Sequence, residues 1–345
     1  MTLREALLSQ AGHCAALDSP FMARMLPVLA EVWPDGSALD TAVQAYEGDI
    51  GPKGHSLPLR LASGLQALVL TKRDAGLLAA YPPNTVTDDE LKGALVQALA
   101  DHSDFMMDWI KVPPQTNEVR RSAVLIAGAH HLTRITGAAQ VCLSELGASA
   151  GLNLMFDAYA LVADDTRLGP EDAALTLTPE WNGPAPHAAR FTVTERRGVA
   201  LNPLDAHNSD HALRLRSYLW ADQQHRISLT DAANSANAVT EDKGDAIDWL
   251  ANRLETAPNG HMHLVFHTIA WQYFPQSAQD RGTALIETAG ARATSNTPLA
   301  WLRMEADTHT RGARVSARLW PGDQRIELGR VDFHGRWVDW APDTA

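Results

Sequence analysis

The sequence predicts an α/β protein: a mainly parallel sheet flanked by helices, ending in an antiparallel hairpin and preceded by a helical domain. Three observations predict this. From residue 141 onward, short apolar runs alternate with amphipathic stretches. The run VCLSEL breaks at GASAG and resumes as LNLMFDAY, which reads as strand, turn and helix. The first 137 residues instead repeat apolar residues at helical spacing.

In chain order, Phe21, Met25 and Leu29 start the helical pattern. Leu59, Ala62, Leu65, Leu68 and Val69 continue it, as do Leu91, Leu95, Leu99 and Met106. Pro27, Pro34, Pro58 and Pro82-Pro83 mark boundaries or kinks. The segment VPPQTNEVRRSAVLIAGAHHLTRIT reads as a helix capped by Thr116 or Asn117, with Val119, Ala123, Ile126 and Ala127 inward. Strands are expected at 141–146, 198–202, 237–240, 263–268 and 299–304, and helices at 152–160, 211–220, 245–255 and 280–293. The end, ARVSARLWPGDQRIELGRVDFHGRWVDW, reads as two or three strands turning at Pro321-Gly322 and His334-Gly335. The expected division is a helical cap over 1–137 and a sheet domain over 138–345, interrupted by a Gly- and Pro-bearing insertion at about 161–197.

A net charge of −12 argues against a nucleic-acid or anionic-membrane partner. The two cysteines, Cys14 and Cys142, have no metal or disulfide spacing, which fits a reducing compartment. Neither a signal-peptide pattern nor a membrane-length apolar run occurs, so the expected location is cytoplasmic.

The turn after 141–146 carries the chemistry. In one reading Glu145 closes the strand, and Gly147, Ser149 and Gly151 line the path of S-adenosylmethionine on a Rossmann-like sheet. A carboxylate suits the cofactor's cationic sulfonium and ammonium groups. A dinucleotide site is a second reading, but Ser149 and Leu152 stand where that fingerprint wants glycines. In a third, G-x-S-x-G makes Ser149 a hydrolase nucleophile, with His309 or His334 as base and Asp280 or Asp307 as orienter. The fourth is a close packing turn without a ligand. His261, His263 and His267 share strand parity and invite a metal reading, but lack an acid at hydrolase spacing, so no metal is expected.

QTNEVRRSAVL, SELGASAGLNL, GVALNPLD, GDAIDWL, FHTIAWQYFP and FHGRWVDW together resemble a bacterial family of uncharacterised proteins, a domain of unknown function that is similar to class I methyltransferases. The resemblance covers nearly the whole chain. It implies a class I methyltransferase-type sheet that binds S-adenosylmethionine at the carboxyl ends of its first strands. By that resemblance Glu145, Gly147, Ser149, Gly151 and Asn153 belong to the cofactor site. Ala200 stands where many methyltransferases place the ribose acid, which leaves Asn202 or Asp205 for that role. Asp245 resembles the residue that reads adenine, and it equally suits the cap of the helix AIDWLANRL. Gln115, Asn117, Arg121 and Trp271 are expected in the acceptor pocket, with His267 and then Tyr273 as the base. The acceptor is expected to be a small molecule. A binding protein of the same fold without chemistry is the alternative.

Overall fold

The computed structural model describes every residue except Lys53, Thr116, Ala206, Thr240, Thr310, Thr344 and Ala345. The chain forms two compact units: Met1–Thr116 with Asn208–Ser228, and Asn117–His207 with Leu229–Ala345.

The first unit is helical: α1 (Leu3–Ala16), α2 (Pro20–Glu31), α3 (Ala38–Gln44), α4 (Leu57–Leu70), α5 (Ala75–Ala80), α6 (Asp88–Asp101) and α7 (Ser103–Trp109). Local chemistry sets the starts. Thr2 with Glu5, and Thr87 with Glu90, form capping boxes, while Ser19, Ser37 and Asp74 accept amides at their own helix starts. Pro58 lies in the first turn of α4 and Pro82-Pro83 follows α5, but α2 runs through Pro27. Met25, Leu29, Leu65, Leu68, Leu91, Leu95, Leu99 and Met106 are buried in one apolar core, which Trp220 and Ala221 complete from the later segment.

The second unit begins with α8 (Ser122–Thr136), then β1 (Gln140–Leu146) and a 3-10 helix, Leu152–Ala158. β2 (Ala160–Ala163), β3 (Thr166–Leu168) and β4 (Thr176–Leu177) make a small separate sheet. β5 (Glu180–Asn182) and β6 (Thr192–Ala200) follow; the chain then supplies α9 (Ser209–Ser217), which belongs to the helical unit and packs on its α4, before α10 (Gln224–Ala236). After these come β7 (Asp242–Lys243), α11 (Ala246–Arg253), β8 (Met262–Thr268), α12 (Gln276–Gly290) and β9 (Leu299–Glu305). The closing strands are β10 (Ala313–Trp320), β11 (Gln324–Val331) and β12 (Trp337–Trp340).

The large sheet is mixed, ordered β5-β12-β11-β10-β9-β8-β1-β6-β7. Its five strands β7, β6, β1, β8 and β9 are parallel. From the β7 edge they run third, second, first, fourth and fifth in the chain, so the winding reverses between β1 and β8. β10, β11 and β12 then form an antiparallel meander. It turns at the expected Pro321-Gly322 and His334-Gly335. Alternate side chains leave opposite faces. Leu146, Val199, Val265 and Trp301 pack with Leu250, Leu254 and Ile286 of α11 and α12. On the other face Phe266 meets Phe156 of the 3-10 helix, ring centroids 6.0 Å apart, and α8 presses Gly128 onto Leu302.

Several expectations are corrected. α8 belongs to the sheet unit, because its buried stripe packs on β8, β9 and β10. Residues 161–197 hold the small sheet, an edge strand and most of β6, whose first half is largely exposed and so lacks an apolar signature. No strand occupies 237–239; α10 runs to Ala236 and the third parallel strand is β7. Thr240 of that expected strand, and Thr116 as a cap, lie outside the described residues. Asn117 does not cap α8. Glu118 instead caps a short 3-10 turn, Val119–Arg121, that leads into it. Among the described residues no helix is long and apolar enough to cross a membrane.

Candidate functional site

The chain places β1 at the centre of the parallel strands and ends it at the reversal point, where α/β sheets open a crevice at their carboxyl ends. Glu145 is the penultimate residue of β1, paired with Gly198 of β6 and Phe266 of β8. The amides of Gly147 and Ala148 then both donate to Val199 O, at 2.9 and 3.0 Å. Gly147 (φ +76°), Ser149 (φ +59°) and Gly151 (φ +66°) all have left-handed backbone. A Cβ at Gly147 would stand 2.7 Å from Ala270 Cβ, and one at Gly151 would have to displace the Glu241 carboxylate on a backbone that L side chains rarely adopt.

Buried side chains hold the turn. Asn117 Oδ1 accepts the Leu152 amide at 2.9 Å, and Asn237 Nδ2 donates to Ala150 O at 3.0 Å. Ser122 donates to Asn153 Oδ1 at 2.8 Å. The first amide of the 3-10 helix is thus taken by Asn117, not left for a ligand. Arg121 donates to Thr268 O and Phe333 O, each at 3.1 Å, so it braces the end of β8.

What remains open is acidic. Glu145 Oε2, Glu241 Oε1 and Ser149 Oγ are buried without a hydrogen-bond partner among the described residues. Glu145 is 2% exposed. Burial pushes it well above the usual carboxylate range, the charge of Glu241 adds to this, and Arg121 opposes it. Burial pushes Glu241 up to about 7; a backbone hydrogen bond opposes the shift, and Asp205 and Asp242 add to it. Buried polar atoms without partners are exceptions in folded chains, and three around one turn mark a place built to meet something else.

The loop after β8 forms the opposite wall. Ile269 takes φ +52°, which is unusual for a β-branched residue. Glu305 of β9 fixes this loop: its Oε1 accepts the Ala270 and Trp271 amides, both at 3.0 Å, and meets His267 Nδ1 at 2.6 Å. Burial raises Glu305, but the hydrogen bonds from His267 and the two amides outweigh it and hold the carboxyl below its usual range. Trp301 Nε1 donates to His267 Nε2 at 3.0 Å, which places the ring proton on Nδ1, facing Glu305. His267 is fully enclosed and stacked on Trp271 at 5.0 Å. With both nitrogens engaged, it props Trp271 and has no nitrogen free to serve as the expected base.

The other expected residues stand in different settings. Tyr273 is 62% exposed on the 3-10 turn Trp271–Tyr273. Asn202 and Asp205 are exposed beyond β6, in a loop whose Leu204 amide donates to Ser149 O at 3.0 Å, and Asp205 is near enough for its charge to act on Glu241. Asp245 is the cap of α11, accepting the amides of Ile247 and Asp248. Gln115 belongs to the helical unit. Ser149 Oγ meets neither His309 nor His334, so the nucleophile reading lacks its base. Of the three histidines, His263 bonds Ser144 Oγ at 2.8 Å and His261 bonds Asn259 O at 2.7 Å. Reading the sequence missed Glu241, Asn237 and Glu305. The one available signal was Glu241 lying just before the expected Asp245.

The molecule is thus an α/β protein whose parallel strands end in a small-residue turn facing two buried carboxylates. Residues 4–340 match the family model described as Uncharacterized protein conserved in bacteria (DUF2332), and the chain belongs to that family. No curated protein matches it.

Proposed function

We propose that this chain is an S-adenosylmethionine-dependent methyltransferase of Rossmann-like fold that acts on a small-molecule acceptor. The observation that carries this reading is the pair Glu145 and Glu241, each with an unpartnered oxygen, flanking a turn of small residues that is tightly approached at Gly147 and Gly151. That pair fits the cofactor: its oxygens can accept from ribose hydroxyls, and a bound sulfonium and ammonium would favour the ionised carboxylates that burial disfavours, whereas the pyrophosphate of a dinucleotide would not. When bound, the sulfonium supplies an electrophilic methyl group for in-line displacement. The chain's own part is alignment and exclusion of water. Asn117, Asn237 and Ser122 hold the turn, Glu305 holds the loop after β8, and Trp271 presents a half-buried ring braced by His267. Tyr273 stands exposed at the same loop, where its hydroxyl can accept a hydrogen bond from an acceptor.

Calorimetry of the intact protein against S-adenosylmethionine and S-adenosylhomocysteine tests the reading. Binding near micromolar that weakens at least about tenfold in Glu145→Ala is the expected result. No binding of either compound sinks the proposal. Binding without methyl transfer to any metabolite of a cell extract would leave a cofactor-binding protein without chemistry. Labelling of Ser149 by a fluorophosphonate would turn the reading to a hydrolase.

A further inference from the structure

A second concavity, of about 530 Å³, opens between α8, the 3-10 helix Leu152–Ala158 and the segment entering β6. His130, Phe156, Asp157, Arg190, Phe191 and Arg196 give it its chemistry. The Ala189 amide donates to His130 Nδ1 at 2.9 Å, which leaves the ring proton on Nε2 as a donor. Phe191 stands edge-on to that ring, centroids 5.0 Å apart. Asp157 and Arg196 pair through one oxygen and one terminal nitrogen. Asp157 Oδ1 and Arg196 Nε are buried with no hydrogen-bond partner among the described residues. Burial keeps Asp157 above the usual carboxylate range even with the Arg196 charge and hydrogen bond opposing it.

The charge here runs against the rest of the protein. Arg190 and Arg196 face a single carboxylate in the lining, in a chain whose net charge is −12. Arg190 is exposed, so its guanidinium meets solvent at the rim. A concave surface with one half-buried ring, Phe191, excess guanidinium and one unpartnered acceptor selects for a flat anion that also carries a donor.

We propose that this concavity is a binding site for a small aryl carboxylate whose ring bears a hydrogen-bond donor. The carboxylate meets Arg190 and the His130 Nε2–H, the ring lies against Phe191, and the ring's donor reaches Asp157 Oδ1. The inference is independent of the S-adenosylmethionine reading, since none of these residues touches the turn at 147–151 in any hydrogen bond or ion pair described above.

The test is calorimetric and NMR titration of the intact protein with 4-hydroxybenzoate, benzoate and 4-hydroxybenzamide. Saturable binding of 4-hydroxybenzoate below about 1 mM is expected, with the uncharged amide at least about tenfold weaker. Arg190→Ala should lose about tenfold for both acids; because Arg190 is a surface residue, unchanged circular dichroism will show that this variant is folded. Asp157→Asn should remove the preference for 4-hydroxybenzoate over benzoate. Absence of saturable binding at about 1 mM, equal affinity for the amide, or an unaltered Arg190→Ala variant would each overturn the proposal.

Discussion

Ser144 and Glu145 are neighbours on β1, and their side chains leave opposite faces of the sheet into two buried polar clusters of different character. On the Ser144 side every partner is present. Arg253 donates from Nε to Ser144 Oγ at 3.2 Å, from Nη1 to Glu195 Oε1 at 2.9 Å and from Nη2 to Cys142 Sγ at 3.3 Å. Cys142 donates to Glu195 Oε2 at 3.1 Å, and His263 closes on Ser144 at 2.8 Å. Burial and the charge of Arg253 drive His263 down to about 4, while burial and Glu195 drive the Cys142 thiol up to about 12. Both are inert at neutral pH. On the Glu145 side, one oxygen of each of two carboxylates and one hydroxyl are buried without a hydrogen-bond partner among the described residues. The same strand therefore carries one cluster joined by hydrogen bonds and one that keeps unpartnered polar atoms among the described residues. A completed network rigidifies; an incomplete one costs stability, and a ligand repays it on binding.

The largest effect should come from Gly151→Ala. Its methyl would displace the Glu241 carboxylate and sit on a left-handed backbone that L side chains rarely adopt. A loss of about 2 kcal/mol in urea unfolding is expected, together with the loss of S-adenosylmethionine binding. A variant that keeps both would show that the turn is not built around this approach. Next comes Arg253→Met, which should cost about 1–2 kcal/mol by breaking the completed network and leave cofactor affinity within about twofold. Equal damage to binding would erase the distinction between the clusters.

The smallest effect is on pH dependence. Glu241 is raised to about 7 in the fold against an ordinary value of 4.5, so the folded chain holds its proton more tightly than the unfolded chain. That contribution is fully present below the ordinary value and is lost as pH rises through about 7. Glu241→Gln should therefore flatten the fall in Tm between pH 5 and 8, and stabilise the ligand-free protein at pH 8 by about 1 kcal/mol. A Tm profile unchanged by the substitution would mean that Glu241 does not carry this proton.

The turn GASAG, the parallel strands around it and the closing hairpins were legible because each has a local signature: small residues, short apolar runs, Pro-Gly and His-Gly turns. The carboxylate pair was only half legible. Glu145 ends an apolar strand and stands out, but Glu241 follows α10 and precedes a two-residue strand, where no periodicity can register. The setting of His267 was hidden for another reason. Its partners Glu305 and Trp301 lie on β9, and only the pairing of β8 with β9 brings them together. A histidine at the end of a strand reads as a base until its neighbours across the sheet are known. Asp245, by contrast, was read both ways, and the helix cap is the role its bonds describe.

The path of the backbone between β6 and β7 has a consequence for inheritance. Residues 208–228 complete the helical unit from the middle of the sheet unit's own stretch of chain. Trp220 and Ala221 fill the core of the first unit, and Asp222 accepts from Ser19 and Phe21 at the start of α2. No single cut in the gene therefore frees the helical unit whole. A fragment that stops at 116 leaves its interior without a plug, and recombination would have to exchange two separated exchange blocks at once. The two units are bound to travel together through evolution as one cistron, even where only one of them is under selection.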